Sequence, residues 1–207
     1  MKSACLVMIL GLLLAACSHQ QPRPQAPAHT CNADTQVQSE ACRRWIAALP
    51  VGMDTHWQMT GRVAIVSGAH SGNARIEWQQ QDAQHYQVLL SAPLTRQSWQ
   101  LSVGGGEAVI RGLPEGVRHG ADAAALLHAA TGWDIPLRAM PYWLRGRPAP
   151  DMAVSQYRFA ADGRLLGLMQ NGWNIEFSPG AQWPSRIHAI QGENRVRLVV
   201  DKWSEAQ

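Results

Sequence analysis

The side chains able to do chemistry are few and scattered. His119, Asp122 and His128 lie close together, but spacings of three and six residues do not bring all three to one helix face. Solvated surface therefore explains them better than a metal site does. The chain contains no G-x-S-x-G nucleophile elbow, no H-E-x-x-H and no C-x-x-C pair. Gly104-Gly105-Gly106 falls between two strand patterns, whereas a phosphate cradle joins a strand to a helix. No two carboxylates pair for acid–base work. These residues do not argue for an enzyme, and no catalytic residue, metal or cofactor is expected.

One residue does stand in a chemically specific setting. Lys2 precedes an apolar run from Ala4 to Ala16, which ends in Leu14-Ala15-Ala16-Cys17. The run is too short to span a bilayer, which takes roughly 20 apolar residues, and suits the apolar region of an export signal. Small residues before the cysteine, with Leu14 before them, resemble the bacterial lipobox, in which the cysteine becomes the lipidated first residue. The competing reading is an ordinary leader with a cysteine there by chance. Lipidation at Cys17 would anchor the chain, since two or more acyl chains hold a membrane where one is marginal. Ser18, in place of Asp, resembles the sorting signal for the outer membrane. Residues 1–16 then form the signal peptide and 17–36 the lipidated end of a Pro- and Gln-rich tether. An exported chain meets an oxidising compartment, where Cys31 and Cys42 can pair; two free thiols are the alternative.

The elements that position everything else follow from 37 to 207, a length suited to one domain. Charged residues are 16% of the chain and the formal net charge is +3. The basic residues are nearly all arginine and are spread along the sequence, which excludes nucleic-acid binding through a large basic cluster. After a helix at about 37–49, period-two alternation runs through GRVAIVS (61–67), NARIEWQQ (73–80), HYQVLL (85–90), SWQLSV (98–103) and EAVIRG (107–112). The Ala- and Leu-rich stretch 121–131 reads as a helix, opened by Asp122 and ended by Gly132. Residues 137–146 read as a second short helical piece, with Pro141 preventing a continuous helix. Strands return after Pro150, with Asp162-Gly163 and Asn171-Gly172 as hairpin turns. The class is mainly β with helices (α+β): about eleven strands in one antiparallel sheet that must curl. The helices near 121–145 are the available cover for its apolar face.

That face is rich in large side chains. Periodicity turns Ile76, Trp78, Val88, Leu90, Trp99, Leu101, Trp173 and Ile175 to one side, with Leu126, Leu127 and Trp143 in the helical cover opposite. A packed core is the simpler account of any one of them. Together, large rings on a sheet and on its cover also suit a site that wraps a lipid. Leu94 stands apart, in the turn Pro93-Leu94-Thr95-Arg96, where a polar residue is usual.

Several stretches resemble the LolB family of outer-membrane lipoprotein receptors. They are the lipobox, TGRVAIVS (60–67), ARIEWQQ (74–80), YQVLLSAPL (86–94), TGWDIPLRAMPYWLRGRP (131–148), QNGWNIEF (170–177) and the terminal RVRLVVDKW. The middle stretch is the most specific. The resemblance implies an incomplete antiparallel barrel with a helical lid over a hydrophobic cavity that takes acyl chains. It implies a monomer that accepts lipoproteins from the soluble periplasmic carrier LolA and inserts them among outer-membrane phospholipids, without nucleotide or metal. It also implies that Pro93-Leu94 is a membrane-insertion loop, although Ala92 and Thr95 stand where Asn and Gly are familiar. The Cys31/Cys42 pair is not part of the family pattern. The alternatives are a lipid-anchored carrier of another small hydrophobe and a non-catalytic envelope scaffold.

Overall fold

A computed structural model describes residues 26–33, 38–52, 55–92 and 97–205. Cys17 and the Pro93-Leu94 pair lie outside them. The chain runs β1 (His29–Asn32), α1 (Glu40–Ala47), β2 (Trp57–Ser67), β3 (His70–Gln80), β4 (Tyr86–Ala92), β5 (Gln97–Gly104), β6 (Glu107–Arg111) and β7 (Arg118–Gly120). It continues with α2 (Ala123–Thr131), α3 (Met140–Leu144), β8 (Val154–Phe159), β9 (Leu165–Gln170), β10 (Trp173–Ser178), β11 (Arg186–Gln191) and β12 (Asn194–Glu205).

All twelve strands belong to one antiparallel sheet, ordered β1-β8-β9-β10-β11-β12-β2-β3-β4-β5-β6-β7. The edges β1 and β7 do not pair, so the barrel is incomplete. The C-terminal strand joins the two halves, because β12 pairs with β2 from Arg195 opposite Val66 to Glu205 opposite Trp57. A bulge falls between Val200 and Lys202, opposite Gly61. A side chain at Gly61 would run into the Val199 carbonyl, so only glycine fits this close approach.

Twelve strands stand where about eleven were expected. Periodicity does not reveal β1 and β7, because four- and three-residue edge strands are too short to show a period. Strand β1 also lies inside the stretch assigned to the tether. It holds by main-chain pairing to β8, with Cys31 opposite Tyr157, and needs no apolar pattern of its own. Cys31 and Cys42 are disulfide-bonded, with Cα atoms 5.7 Å apart, and tie β1 to α1. Helix α1 is shorter than the expected 37–49. It starts where the Ser39 side chain accepts from the Cys42 N–H at 3.2 Å. It adds a second cover: its Trp45 ring lies 5.5 Å from Phe159.

Helix α2 is capped at both ends by the expected residues. Asp122 accepts from Ala125 N at 2.7 Å, and Gly132 closes the helix at φ 73°. Pro141 sits in the first turn of α3, where its missing N–H leaves no bond unmade. The helices and the inner sheet face share one apolar core. Met59, Leu101, Ile110, Trp143, Leu144, Phe159, Leu168 and Ile175 are within it.

Candidate lipid-binding interior

The register builds the interior as rows of side chains that cross the sheet. One row is Met59–Trp78–Val88–Leu101–Ile110, from β2 to β6. A second is Ile76–Leu90–Trp99. On the other half a third runs Tyr157–Leu168–Ile175–Ala189–Val196–Ile65. Trp173 lies two residues from Ile175 on the same face of β10 and meets Trp143 of α3, with ring centroids 5.9 Å apart. Leu126 and Leu127 enter from α2, which packs on β6 and β7. All eleven residues singled out from the sequence therefore turn into one apolar interior. Ten are buried; Trp99 is half-buried.

Trp99 marks a rim. It lies two residues from Gln97, the first residue of β5, and its ring is 5.9 Å from that of Trp133. Trp133 comes from the segment between α2 and α3, and its ring occupies the space that a side chain at Gly72 would take. The Ser67 hydroxyl accepts from Asp134 N at 2.9 Å and ties this segment to β2. The rim thus joins the lid and the sheet near the start of β5.

The two helices of the lid are held differently. Gln170 of β9 is fully buried. Its side-chain oxygen accepts from Trp143 Nε1 at 2.8 Å and Ala149 N at 2.9 Å, and its amide donates to Ala149 O and Met152 O. These bonds fasten α3 and the chain after it to the sheet. No side chain of α2 makes a comparable buried bond to the sheet among the described residues. Its apolar packing is supplemented by one exposed contact, from Arg118 Nη1 to Ala129 O at 3.2 Å.

Two polar side chains inside the barrel are partnered within it. Trp78 Nε1 donates to Gln80 Oε1 at 2.6 Å, and the Gln80 amide donates to Asp82 O. Tyr86 stacks on Trp78, with centroids 5.5 Å apart, and burial pushes its phenol up to about 12. Asp122 reinforces that shift, while Arg138 opposes it. Arg145 is a buried cation stacked on Trp183, 3.6 Å from the ring centroid, with Trp203 and Trp57 farther off. It borders an open concavity of about 330 Å³ that also touches Phe177 and Pro184. A second concavity, of about 720 Å³, reaches the outer sheet face.

Sequence reasoning passed over Gln170, Arg145 and the rim role of Trp133. Gln170 ends an apolar strand and its partners are distant in the chain, so only the tryptophan count hinted at such packing. The three residues weighed as a metal site stand in separate settings. His119 Nδ1 contacts Glu107 at 2.7 Å, Asp122 caps α2, and the His128 carbonyl accepts from Gly132. No group of three or more metal-ligating side chains converges among the described residues.

A family model described as outer membrane lipoprotein LolB matches residues 55–203, which span the rim, the lid and both sheet halves. The chain belongs to the LolB family. An outer-membrane lipoprotein LolB from Xanthomonas euvesicatoria pv. vesicatoria is 42% identical over 181 residues, covering 83% of this chain and 81% of that protein. One from Xanthomonas campestris pv. campestris (strain B100) is 38% identical over 207 residues, covering 95% and 94%. A third, from Xylella fastidiosa, is 35% identical and covers 96% and 92%. Among solved structures, a LolA superfamily protein from Nitrosomonas europaea aligns over 79% of this chain and 91% of its own, with a TM-score of 0.42 and 8% identity. The chain is accordingly an outer-membrane lipoprotein, and among its described residues no helix is long and apolar enough to cross a bilayer.

Proposed function

We propose that this LolB-family protein receives lipoproteins from a soluble periplasmic carrier of the LolA type, holds their acyl chains in its apolar interior and passes them to the outer membrane. The observation that carries the reading is the convergence of eleven large apolar side chains, from sheet and lid, on one interior with a rim at Trp99 and Trp133. Each buried methylene is worth about 0.8 kcal/mol, so an acyl chain cannot cross water at a useful rate. It moves along a continuous apolar path, and the mouths of carrier and receptor must meet. Transfer then runs downhill in affinity and needs no covalent chemistry.

Ten of the eleven side chains are buried in one packed cluster of sheet and lid, so admitting an acyl chain requires the lid to give. Helix α2 is the half that moves, because apolar packing is its main hold, and α3 stays pinned by Gln170. Cys17 supplies the acyl anchor, and Leu94 enters the bilayer when cargo is released.

Transfer between purified components tests the reading. Carrier loaded with a lipoprotein should give up its cargo to this protein, and that cargo should displace an environment-sensitive lipid probe and change tryptophan emission. Uptake without probe displacement would point to a scaffold surface. Probe binding without lipoprotein uptake would point to a carrier of another hydrophobe.

A further inference from the structure

The arginines are dispersed in sequence, but the sheet gathers them. Arg62 (β2), Arg158 (β8), Arg186 (β11) and Arg197 (β12) all line the 720 Å³ groove at the outer face, where Glu176 is the only carboxylate among the lining residues described. Register explains the gathering. Arg197 pairs with His188, which pairs with Glu176, while Arg186 pairs with Val199, itself opposite Arg62. Exposed Arg195 stands two residues from Arg197 on the same face. The positive strip continues sideways, since Arg62 pairs with Arg75 and Arg75 with Ser91, near the end of β4. It therefore reaches the C-terminal end of β4.

Among the described residues, Arg62 is the one of these charges that is ion-paired. Arg62 contacts Asp201 at 2.9 Å, and Arg158 donates to Asn174 Oδ1 and Ile175 O. Arg186, Arg195 and Arg197 have no carboxylate partner among the described residues. Arg197 Nε donates to His188 Nε2 at 3.2 Å, which uses the neutral ring. Burial lowers the proton affinity of His188, and Arg197 and Arg195 add to this against Glu176.

Two neighbours of the groove say what it faces. Ala26 and Pro27, where the described chain begins, line it. Cys17 is nine residues earlier, so the anchored end lies within about 30 Å even when that segment is fully extended. The groove is thus leashed to a surface dense in phosphate groups. We propose that this arginine groove binds anionic phospholipid headgroups of the membrane that anchors the chain, and so holds the barrel against the bilayer. Arginines without a carboxylate partner suit this role, because guanidinium forms paired bonds to phosphate oxygens. The contact is separate from the apolar interior and holds whatever cargo the interior takes.

The test uses the mature chain carrying Cys17→Ala, exported behind a leader that needs no lipidation, so that the acyl anchor does not mask weaker contacts. Its binding to phosphatidylcholine vesicles is compared with binding to vesicles containing about 30 mol % phosphatidylglycerol, by co-sedimentation. Binding should rise at least tenfold with the anionic lipid and fall back in about 0.5 M salt. Arg186→Gln with Arg197→Gln should weaken it about 25-fold, since each arginine near an anionic surface contributes about fivefold. The Arg186→Lys/Arg197→Lys pair, which keeps the charge, should retain most of it. Should the first pair fold poorly by thermal unfolding, Arg195→Gln with Arg197→Gln, both exposed, tests the same face. Wild-type affinity of a folded Gln pair for anionic vesicles would overturn the proposal. So would unchanged vesicle binding with lost uptake from the carrier, which would assign the groove to an acidic protein surface.

Discussion

Gln170 lies buried against Trp143, accepting the indole N–H at 2.8 Å, and thereby fastens the second lid helix to the middle of the sheet. The same side chain serves Ala149 twice and Met152 once. Replacing it with Leu keeps the bulk but leaves several buried donors and acceptors without partners, at about 1–3 kcal/mol each. Gln170→Leu should therefore cost at least about 3 kcal/mol. Trp143→Phe removes one donor along with some ring contact and should cost about 1–3 kcal/mol. Urea midpoints of the two single variants and the double variant measure the coupling. Additive losses would show that the two residues do not act as a unit.

The Cys31–Cys42 bridge closes an 11-residue separation between β1 and α1. In the chain-entropy model such a loop contributes about 3 kcal/mol. Cys31→Ser with Cys42→Ser should lower stability by about that amount and free the edge strand first. Hydrogen exchange should rise at residues 29–32 while the amides of β2 to β5 keep their protection. Uniform loss of protection would mean that the edge and the barrel unfold together.

Leu94→Glu should leave thermal stability and acceptance of cargo unchanged but block release into liposomes, while Leu94→Ile or Leu94→Phe should transfer normally. An apolar tip entering a bilayer is favourable and a charged one is costly. The measurement is the two-step assay, carrier to receptor and then receptor to liposome. Failure of the Glu variant already at the first step would move the role of Leu94 from the membrane to the carrier.

Alkaline stability reports on Tyr86. Its folded pKa, about 12, exceeds the ordinary phenol value of 10.0, so its contribution is fully present below pH 10. As pH rises through 10 to 12 the unfolded chain loses this proton first, and stability falls by about 1.4 kcal/mol per pH unit for this group. Burial raises Tyr142 and Tyr157 too, so they act in the same direction. Tyr86→Phe should flatten part of this decline in urea titrations between pH 9 and about 11.5. An unchanged slope would mean that the phenol is not shielded.

The local pattern by itself determined the sheet and the inward set. Alternation in NARIEWQQ and SWQLSV assigns faces because the strand period is two, and Asn171-Gly172 makes a hairpin because its backbone adopts positive φ, 47° and 79°. Asp122 and Gly132 marked the ends of α2 because caps act on neighbours in the chain. The motifs around 131–148 carried the family for the same reason: they are contiguous. Tertiary structure decided what depends on distant partners. Strand β1 exists only because β8 offers an edge, and Gln170 matters only because Trp143, Ala149 and Met152 surround it. Arginines 62, 158, 186 and 197 look dispersed along the chain, and they line one groove only because the sheet order β8-β9-β10-β11-β12-β2 brings their four strands to one stretch of sheet.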